Sequence, residues 1–314
     1  MPPLVAVTRR VVQPVRDDLA RLFELRVHDA EEPPSREDLR TLVAGAEGLV
    51  TMLTDAVDAE LLDAAGPGLR VIANHATGHD NVDLRAARER GIVVTTTPGV
   101  LERATAEHTL ALALALARRV AEGDRFLRRG EPWAWAPTFM LGRGLAGKTL
   151  GLVGLGRIGG EVARLGEALG LEVVYTARTP RDVPYHWLPL GELLSRADVV
   201  SLHVPLTEAT RGLIGPGELG LMRRDAILVN TARGPIVDEA ALVEALLAGE
   251  IGGAALDVFE DEPAVHPGLL ELENVVLTPH LASATAEARG AMGRLCVEAL
   301  TAVLLEGRTP ETAV

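Results

Sequence analysis

The stretch Thr149–Arg178, TLGLVGLGRIGGEVARLGEALGLEVVYTAR, decides the fold. Leu150–Val153 is an apolar run with the length of a buried strand. Gly154-Leu155-Gly156-Arg157-Ile158-Gly159 reads as a tight turn. Glu161–Leu169 then carries Val162, Leu165 and Leu169 at helical spacing. Gly170 closes that helix, and Glu172–Thr176 reads as a second strand. Strand, G-x-G-x-x-G, helix and strand within about thirty residues make the dinucleotide-binding fingerprint. Gly154 permits the turn, Gly156 lets backbone approach a pyrophosphate, and Gly159 lets helix and strand pack closely. Leu155, Arg157 and Ile158 complete the loop. The helix N-terminus offers unpaired N–H groups and a positive dipole end to phosphate. Glycines also make ordinary turns; the flanking strands and helix are what turn this motif into a nucleotide site.

The chain has 314 residues, a length that points to two domains. A hydrophobic fraction of 47% is ample for two cores, and the formal charge of −13 comes without any basic cluster. That balance excludes nucleic acid and anionic membrane as partners. Cys296 is the sole cysteine, which rules out an internal disulfide and a Cys-rich metal site, and no metal is expected. The N-terminus lacks the order of charge then apolar core that marks a signal peptide. The richest apolar run, Leu110–Ala117, is far short of the ~20 residues of a membrane helix. A cytoplasmic protein is expected.

Residues 1–98 alternate β-rich runs (Leu4–Thr8, Leu25–His28, Gly48–Met52, Val71–His75, Ile92–Thr96) with helical patterns (Asp17–Leu22, Ser35–Ala44, Asp58–Ala65, Asp83–Arg90). Such alternation predicts βαβ units and a parallel sheet. Ser35 followed by Asp38 resembles a helix start. Ala104–Arg128 reads as one long Ala/Leu helix, followed by an irregular segment, 130–147, with Trp133, Trp135 and Phe139. Two readings fit that segment: a loop pinned to its own core, or an arm packed on a second subunit, because aromatics favour interface cores. Six strands follow, Leu150–Val153, Val173–Thr176, Val199–Val204, Ile227–Thr231, Ala254–Val258 and Val275–Thr278, with helical segments between the first five. They predict a doubly wound sheet. Ala284–Leu305 is a last amphipathic helix with no strand to feed, expected to return to the first domain.

Ligands of open α/β sheets bind beyond the carboxyl ends of the strands. The fourth strand is followed by Asn230-Thr231-Ala232-Arg233-Gly234, the fifth by Asp257-Val258-Phe259-Glu260-Asp261-Glu262-Pro263, and the sixth by Thr278-Pro279-His280. An Arg, a set of carboxylates and a His thus meet on one edge. Singly, each reads as a surface cation, a solvated acidic turn or a satisfied loop histidine; together, beside a nucleotide site, they read as chemistry. Arg offers a planar fork for a carboxylate. His trades a proton near neutral pH, and a neighbouring carboxylate favours the imidazolium. This is the equipment for reducing a 2-oxo acid: Arg holds the carboxylate and polarises the carbonyl, and His protonates the oxygen as hydride reaches C2.

At these residues the chain resembles the D-isomer-specific 2-hydroxyacid dehydrogenases, through VIANHATGHDNVD (71–83), TPGVLERATAE (97–107), GLGRIG, NTARG, LDVFEDEP and TPHLASAT in order. The resemblance is strongest to the glyoxylate/hydroxypyruvate reductase branch, through Met52–Asp55, the Trp135 loop and Tyr175–Arg178. It implies a two-domain α/β protein: a Rossmann dinucleotide-binding domain over 99–282, and a flavodoxin-like substrate domain over 1–98 and 283–314. It implies Arg233, Glu262 and His280 as the catalytic set. Ala76, Thr77 and Gly78 would bind the substrate carboxylate together with Arg233 and His280. Thr231, Ala232 and Asp257 would join the cofactor site, Asp257 holding the nicotinamide carboxamide. Two departures stand out: Thr77 and His79 replace residues that are usually apolar or aromatic, and the end of the chain, Pro310–Val314, lacks the usual Pro-Asn. A homodimer is also implied, with Trp135, or second Phe139, reaching the neighbour's substrate pocket.

Coenzyme choice is read where the second strand of the fingerprint ends. NAD binders place a carboxylate there for the ribose 2′-OH. Here Ala177-Arg178-Thr179 stands instead, with Arg181 close by. NADP(H) is expected as the preferred coenzyme, NAD(H) as a usable one; the alternative is that Arg178 only stacks on adenine or lies in solvent. Competing activities are D-3-phosphoglycerate dehydrogenase or another D-2-hydroxyacid dehydrogenase, and a non-catalytic NAD(H)-gated binding protein on the same fold.

Overall fold

The computed structural model describes residues 1–314. Residues 1–101 and 284–314 form one compact unit, and residues 102–283 a second. In the first, five strands, β1 (Leu4–Val7), β2 (Glu24–Val27), β3 (Gly48–Thr51), β4 (Val71–Asn74) and β5 (Val93–Thr95), alternate with α1 (Gln13–Leu22), α2 (Arg36–Val43), α3 (Ala59–Ala65) and α4 (Leu84–Glu89). They form one parallel sheet in the order β2-β1-β3-β4-β5, the flavodoxin-like winding. β3 and β4 are buried along their whole length, which is why they read as unbroken apolar runs. The helix starts are chemically marked. Ser35, Asp58 and Asp83 each accept the N–H three residues on, from Asp38, Leu61 and Ala86, caps worth ~1 kcal/mol each.

The second unit opens with α5 (Glu102–Ala117) and α6 (Val120–Arg128). It continues as β6 (Thr149–Val153), α7 (Arg157–Ala168), β7 (Glu172–Thr176), β8 (His186–Trp187), α8 (Leu190–Arg196) and β9 (Val199–Leu202). Then come α9 (Pro216–Leu221), β10 (Ile227–Asn230), α10 (Glu239–Leu247), β11 (Gly253–Leu256), α11 (Pro267–Leu270) and β12 (Val275–Leu277). Its seven parallel strands lie in the order β8-β7-β6-β9-β10-β11-β12. This is the doubly wound Rossmann order with one strand added at the far edge. The fully buried Tyr175, Leu150, Leu152, Leu193, Leu194 and Leu202 mark its core on the two sheet faces. The last helix, α12 (Ala286–Leu304), belongs to the first unit and packs on its sheet: a Cβ on Gly48 would sit 2.6 Å from Leu300 Cδ2.

Two expectations are corrected. The long helix expected over Ala104–Arg128 is two helices, broken at Arg119, whose φ is 55°. The returning loop causes the break: the Arg143 N–H donates to Ala117 O at 2.7 Å, taking a carbonyl that a continuous helix needs. The sheet also has a seventh strand, β8, that periodicity did not reveal; two residues are too few to show alternation.

Candidate active site

The glycine-rich turn lies between β6 and α7. Gly154 has φ 98°, a conformation open to glycine, and a Cβ there would lie 2.6 Å from His203 O. A Cβ on Gly159 would lie 2.4 Å from Gly154 O, so helix and turn are in backbone contact. Gly156 is the N-cap of α7 with no side chain over the helix end, and a Cβ there would meet nothing within 4 Å. Leu155 is buried, Ile158 half-buried and Arg157 exposed. The bare helix N-terminus behind an open approach fits a pyrophosphate. At the end of β7, Ala177 is half-buried and Arg178 and Thr179 are exposed. The buried Tyr175 fixes this corner: its hydroxyl accepts the Arg181 N–H at 2.7 Å. Neither Arg178 nor Arg181 has a carboxylate within 4.0 Å, whereas most arginines of the chain are paired.

Three adjacent strands then deliver the reactive side chains. After β10, Asn230 shapes the turn: its Nδ2 donates to Arg233 O at 2.9 Å, and its Oδ1 accepts the Ala232 N–H at 3.1 Å. Arg233 is half-buried, one Nη1 donating to Ala232 O at 2.8 Å. The Thr231 hydroxyl faces α5, 2.8 Å from Thr109 Oγ1. After β11, Glu262 curls back so that its Oε1 accepts the Phe259 N–H at 3.1 Å. Its Oε2 meets Nδ1 of His280, which follows β12, at 2.9 Å. Both side chains are one-quarter exposed, so Nε2 remains for a reacting oxygen.

Asp257 holds the His280 loop from below. It is fully buried, and its carboxylate accepts Thr278 Oγ1 (2.6 Å), the Leu281 N–H (2.7 Å) and the Ala282 N–H (2.8 Å). His108, on α5, contributes Nε2 at 3.1 Å from Thr278 Oγ1 and 3.3 Å from Asp257 Oδ1. Burial alone would push the Asp257 carboxyl up, but these donors, His108 and Thr278 before the two N–H groups, hold it below the usual carboxylate range. Most of its hydrogen-bonding capacity therefore goes to internal donors. Sequence reasoning missed His108 and Asn230; a helical His and a strand-end Asn carry no signal until the loops they hold are folded.

In the first unit, the loop after β4 is pinned on both sides of Ala76–Gly78. Asn74 Nδ2 donates to Gly78 O at 2.9 Å, and the Thr97 N–H donates to Ala76 O at 2.9 Å. The Thr77 and Gly78 N–H groups take no part in these internal bonds. Two neighbouring backbone donors are what a carboxylate needs. A cavity of about 380 Å³ lies elsewhere, lined by Leu116, Arg119, Leu141, Arg143, Ile227 and Asn274. It sits at the amino ends of β10 and β12, opposite the reactive loops, and carries none of this chemistry.

A coenzyme turn on a doubly wound sheet, with Arg, Glu and His on three successive strand ends, defines a nicotinamide-dependent dehydrogenase of 2-hydroxy acids. The chain belongs to the D-isomer specific 2-hydroxyacid dehydrogenase family, whose NAD binding domain model matches residues 110–282. It is 47% identical to the glyoxylate reductase of Aeropyrum pernix, over 99% of this chain and 96% of that protein. The solved TT0316 protein of Thermus thermophilus is 50% identical, covers 99% of both chains and superposes with a TM-score of 0.94. The NADPH-dependent glyoxylate/hydroxypyruvate reductase of Sinorhizobium meliloti, solved with NADP and malonate, is 35% identical, with a TM-score of 0.87 over 100% of this chain and 97% of that one.

Proposed function

We propose that this enzyme reduces glyoxylate and hydroxypyruvate to the 2-hydroxy acids with NADPH. The observation that carries the reading is the 2.9 Å contact between Glu262 and His280 beside Arg233 and the coenzyme turn. Reduced nicotinamide supplies hydride to C2 when bound. The guanidinium of Arg233 binds the substrate and polarises its carbonyl. His280 donates a proton from Nε2 to the carbonyl oxygen, and Glu262, on Nδ1, stabilises the imidazolium before transfer and fixes the ring. In this reading the Thr77 and Gly78 N–H groups cradle the substrate carboxylate, so residues 1–101 and 284–314 serve the substrate and 102–283 the coenzyme. The glyoxylate and hydroxypyruvate named for the relatives fit an acid–base site with no visible cluster of cations for a substrate phosphate.

NADPH is the preferred coenzyme in this reading. Ala177 leaves no carboxylate to repel a 2′-phosphate, and Arg178 and Arg181 are unpaired cations at the right corner. The protein acts as a cytoplasmic homodimer. Trp135 is 81% exposed and Trp133 60%, and Leu141, Leu127 and Val120 of the same stretch are exposed too, apolar side chains that a second subunit would cover. Phe139 stacks on Trp133 and meets Phe126 edge-on, so the arm is organised before any partner covers it. One spectrophotometric screen tests the reading: NADPH and NADH oxidation with glyoxylate, hydroxypyruvate, pyruvate and 2-ketogluconate. Fastest turnover with NADPH and the first two acids is expected; no turnover with any of the four would refute it.

A further inference from the structure

The Glu262–His280 contact depends on where the segment 259–263 is held. Its own hydrogen bond, Phe259 N–H to Glu262 Oε1, turns one carboxylate oxygen inward and leaves the other for His280. That arrangement is only as fixed as the backbone beneath it. Two features outside the segment hold that backbone. One is steric: a Cβ on Gly234 would stand 1.9 Å from the Phe259 carbonyl carbon, so the turn after Arg233 touches the loop directly. The other is polar. Glu239, first residue of α10, is 5% exposed, and its Oε1 accepts the Glu260 N–H at 2.6 Å across 21 residues of chain.

A glutamate in the first turn of a helix ordinarily faces solvent and favours the dipole. Glu239 does not, and its helix is capped without it, by Asp238, whose Oδ1 accepts the Ala241 N–H at 2.9 Å. It lies inside, where burial, with the neighbouring Glu260 charge, raises its carboxyl above the usual range although the Glu260 N–H and the ring and backbone of His266 pull the other way. A costly buried acid whose short hydrogen bond goes to the loop amide of Glu260 calls for a reason beyond packing.

We infer that Glu239 is a positioning residue for the acid pair, holding the Glu260 N–H so that Glu262 reaches His280. This rests on the proposed role of that pair. The device joins the two halves of the site: Gly234 and Glu239 both follow Arg233 on one segment, and both grip the loop that carries Glu262. Arg233 and Glu262 are thereby kept in register.

The test uses the full-length enzyme and three variants. Glu239→Gln keeps an acceptor at the same reach and should retain kcat and the pH–rate profile of the wild type. Glu239→Asp keeps the charge but is one methylene short. It should lower kcat about tenfold, the loss of one charge-assisted hydrogen bond, move the alkaline limb of the profile to lower pH, and leave the KM for NADPH unchanged. Glu239→Ala carries the same expectation and replaces the Asp variant should that one not fold. A wild-type profile in a folded Asp or Ala variant, or equal losses in Gln and Asp, overturns the inference. Glu262→Gln is measured alongside: if it too leaves the profile unmoved, the acid-pair reading fails; if it alone moves the profile, only the role of Glu239 fails.

Discussion

His280 adopts a left-handed backbone conformation, φ 54°, and Asp257 holds it there. The His280 N–H donates to Asp257 O at 2.8 Å, while the Asp257 carboxylate takes the next two N–H groups, of Leu281 and Ala282. The conformation costs a non-glycine residue ~1–2 kcal/mol, offset by hydrogen bonds to a buried charge at ~1.5–3 kcal/mol each. The imidazole is presented by a loop under strain, tied to one carboxylate.

Asp257→Asn should therefore harm catalysis without touching the reacting atoms. An amide puts a donor where the loop needs an acceptor, and Thr278 or one N–H loses its partner. A fall in kcat of roughly tenfold to a hundredfold is expected, with a lower melting temperature. Steady-state kinetics and a thermal melt check it; unchanged kcat in the folded variant would remove Asp257 as anchor.

His280→Ala should lower kcat by about a hundredfold to ten-thousandfold, the usual worth of a general acid, and leave NADPH affinity intact. Arg233→Lys should raise KM for glyoxylate and lower kcat, since an ammonium cannot reproduce the bidentate fork. Fluorescence titration of NADPH beside the kinetics separates the two effects. Parallel loss of coenzyme binding in His280→Ala would show a collapsed site instead.

Two histidines, the buried His75 and the half-buried His203, predict the acid limit of stability. Burial lowers both His75 and His203 to about 4, His75 also facing Arg289. Both folded values lie below the unfolded 6.5, so the unfolded chain binds protons that the folded chain refuses. Their contribution is complete above pH 6.5 and is lost as pH falls towards 4, up to ~3 kcal/mol for each. Urea unfolding between about pH 7 and pH 4 should show this slope, and His203→Gln should flatten it. A slope identical to wild type in that variant would contradict the assignment.

Arg178→Ala should weaken NADPH by roughly tenfold to a hundredfold, the worth of a charged hydrogen bond, and NADH far less. Equal losses for both coenzymes would place Arg178 on the adenine instead. A wild type that strongly favours NADH would defeat the argument from Ala177.

Most of this fold was legible because parallel strands buried on both faces must be apolar throughout, and Gly154, Gly156 and Gly159 stand where only a tight turn into a helix tolerates them. Ser35 was readable as a cap for a similarly local reason. What stayed hidden depended on distant chain. The helix break at Arg119 needed the Arg143 amide, and β8 needed β7 to pair with. At the site, the residue types that react were visible at the strand ends. Of the residues that hold them, His108 and Glu239 were silent because their partners lie 170 and 21 positions away, and Asn230 because a strand-end Asn shows its role only in the folded turn to Ala232 and Arg233.

The pH–rate profile for glyoxylate reduction by wild type and Glu262→Gln tests the central claim most directly. If Glu262 sustains the imidazolium of His280, the variant's alkaline limb lies at clearly lower pH, with NADPH affinity unchanged. Superimposable profiles from two folded enzymes would contradict the account.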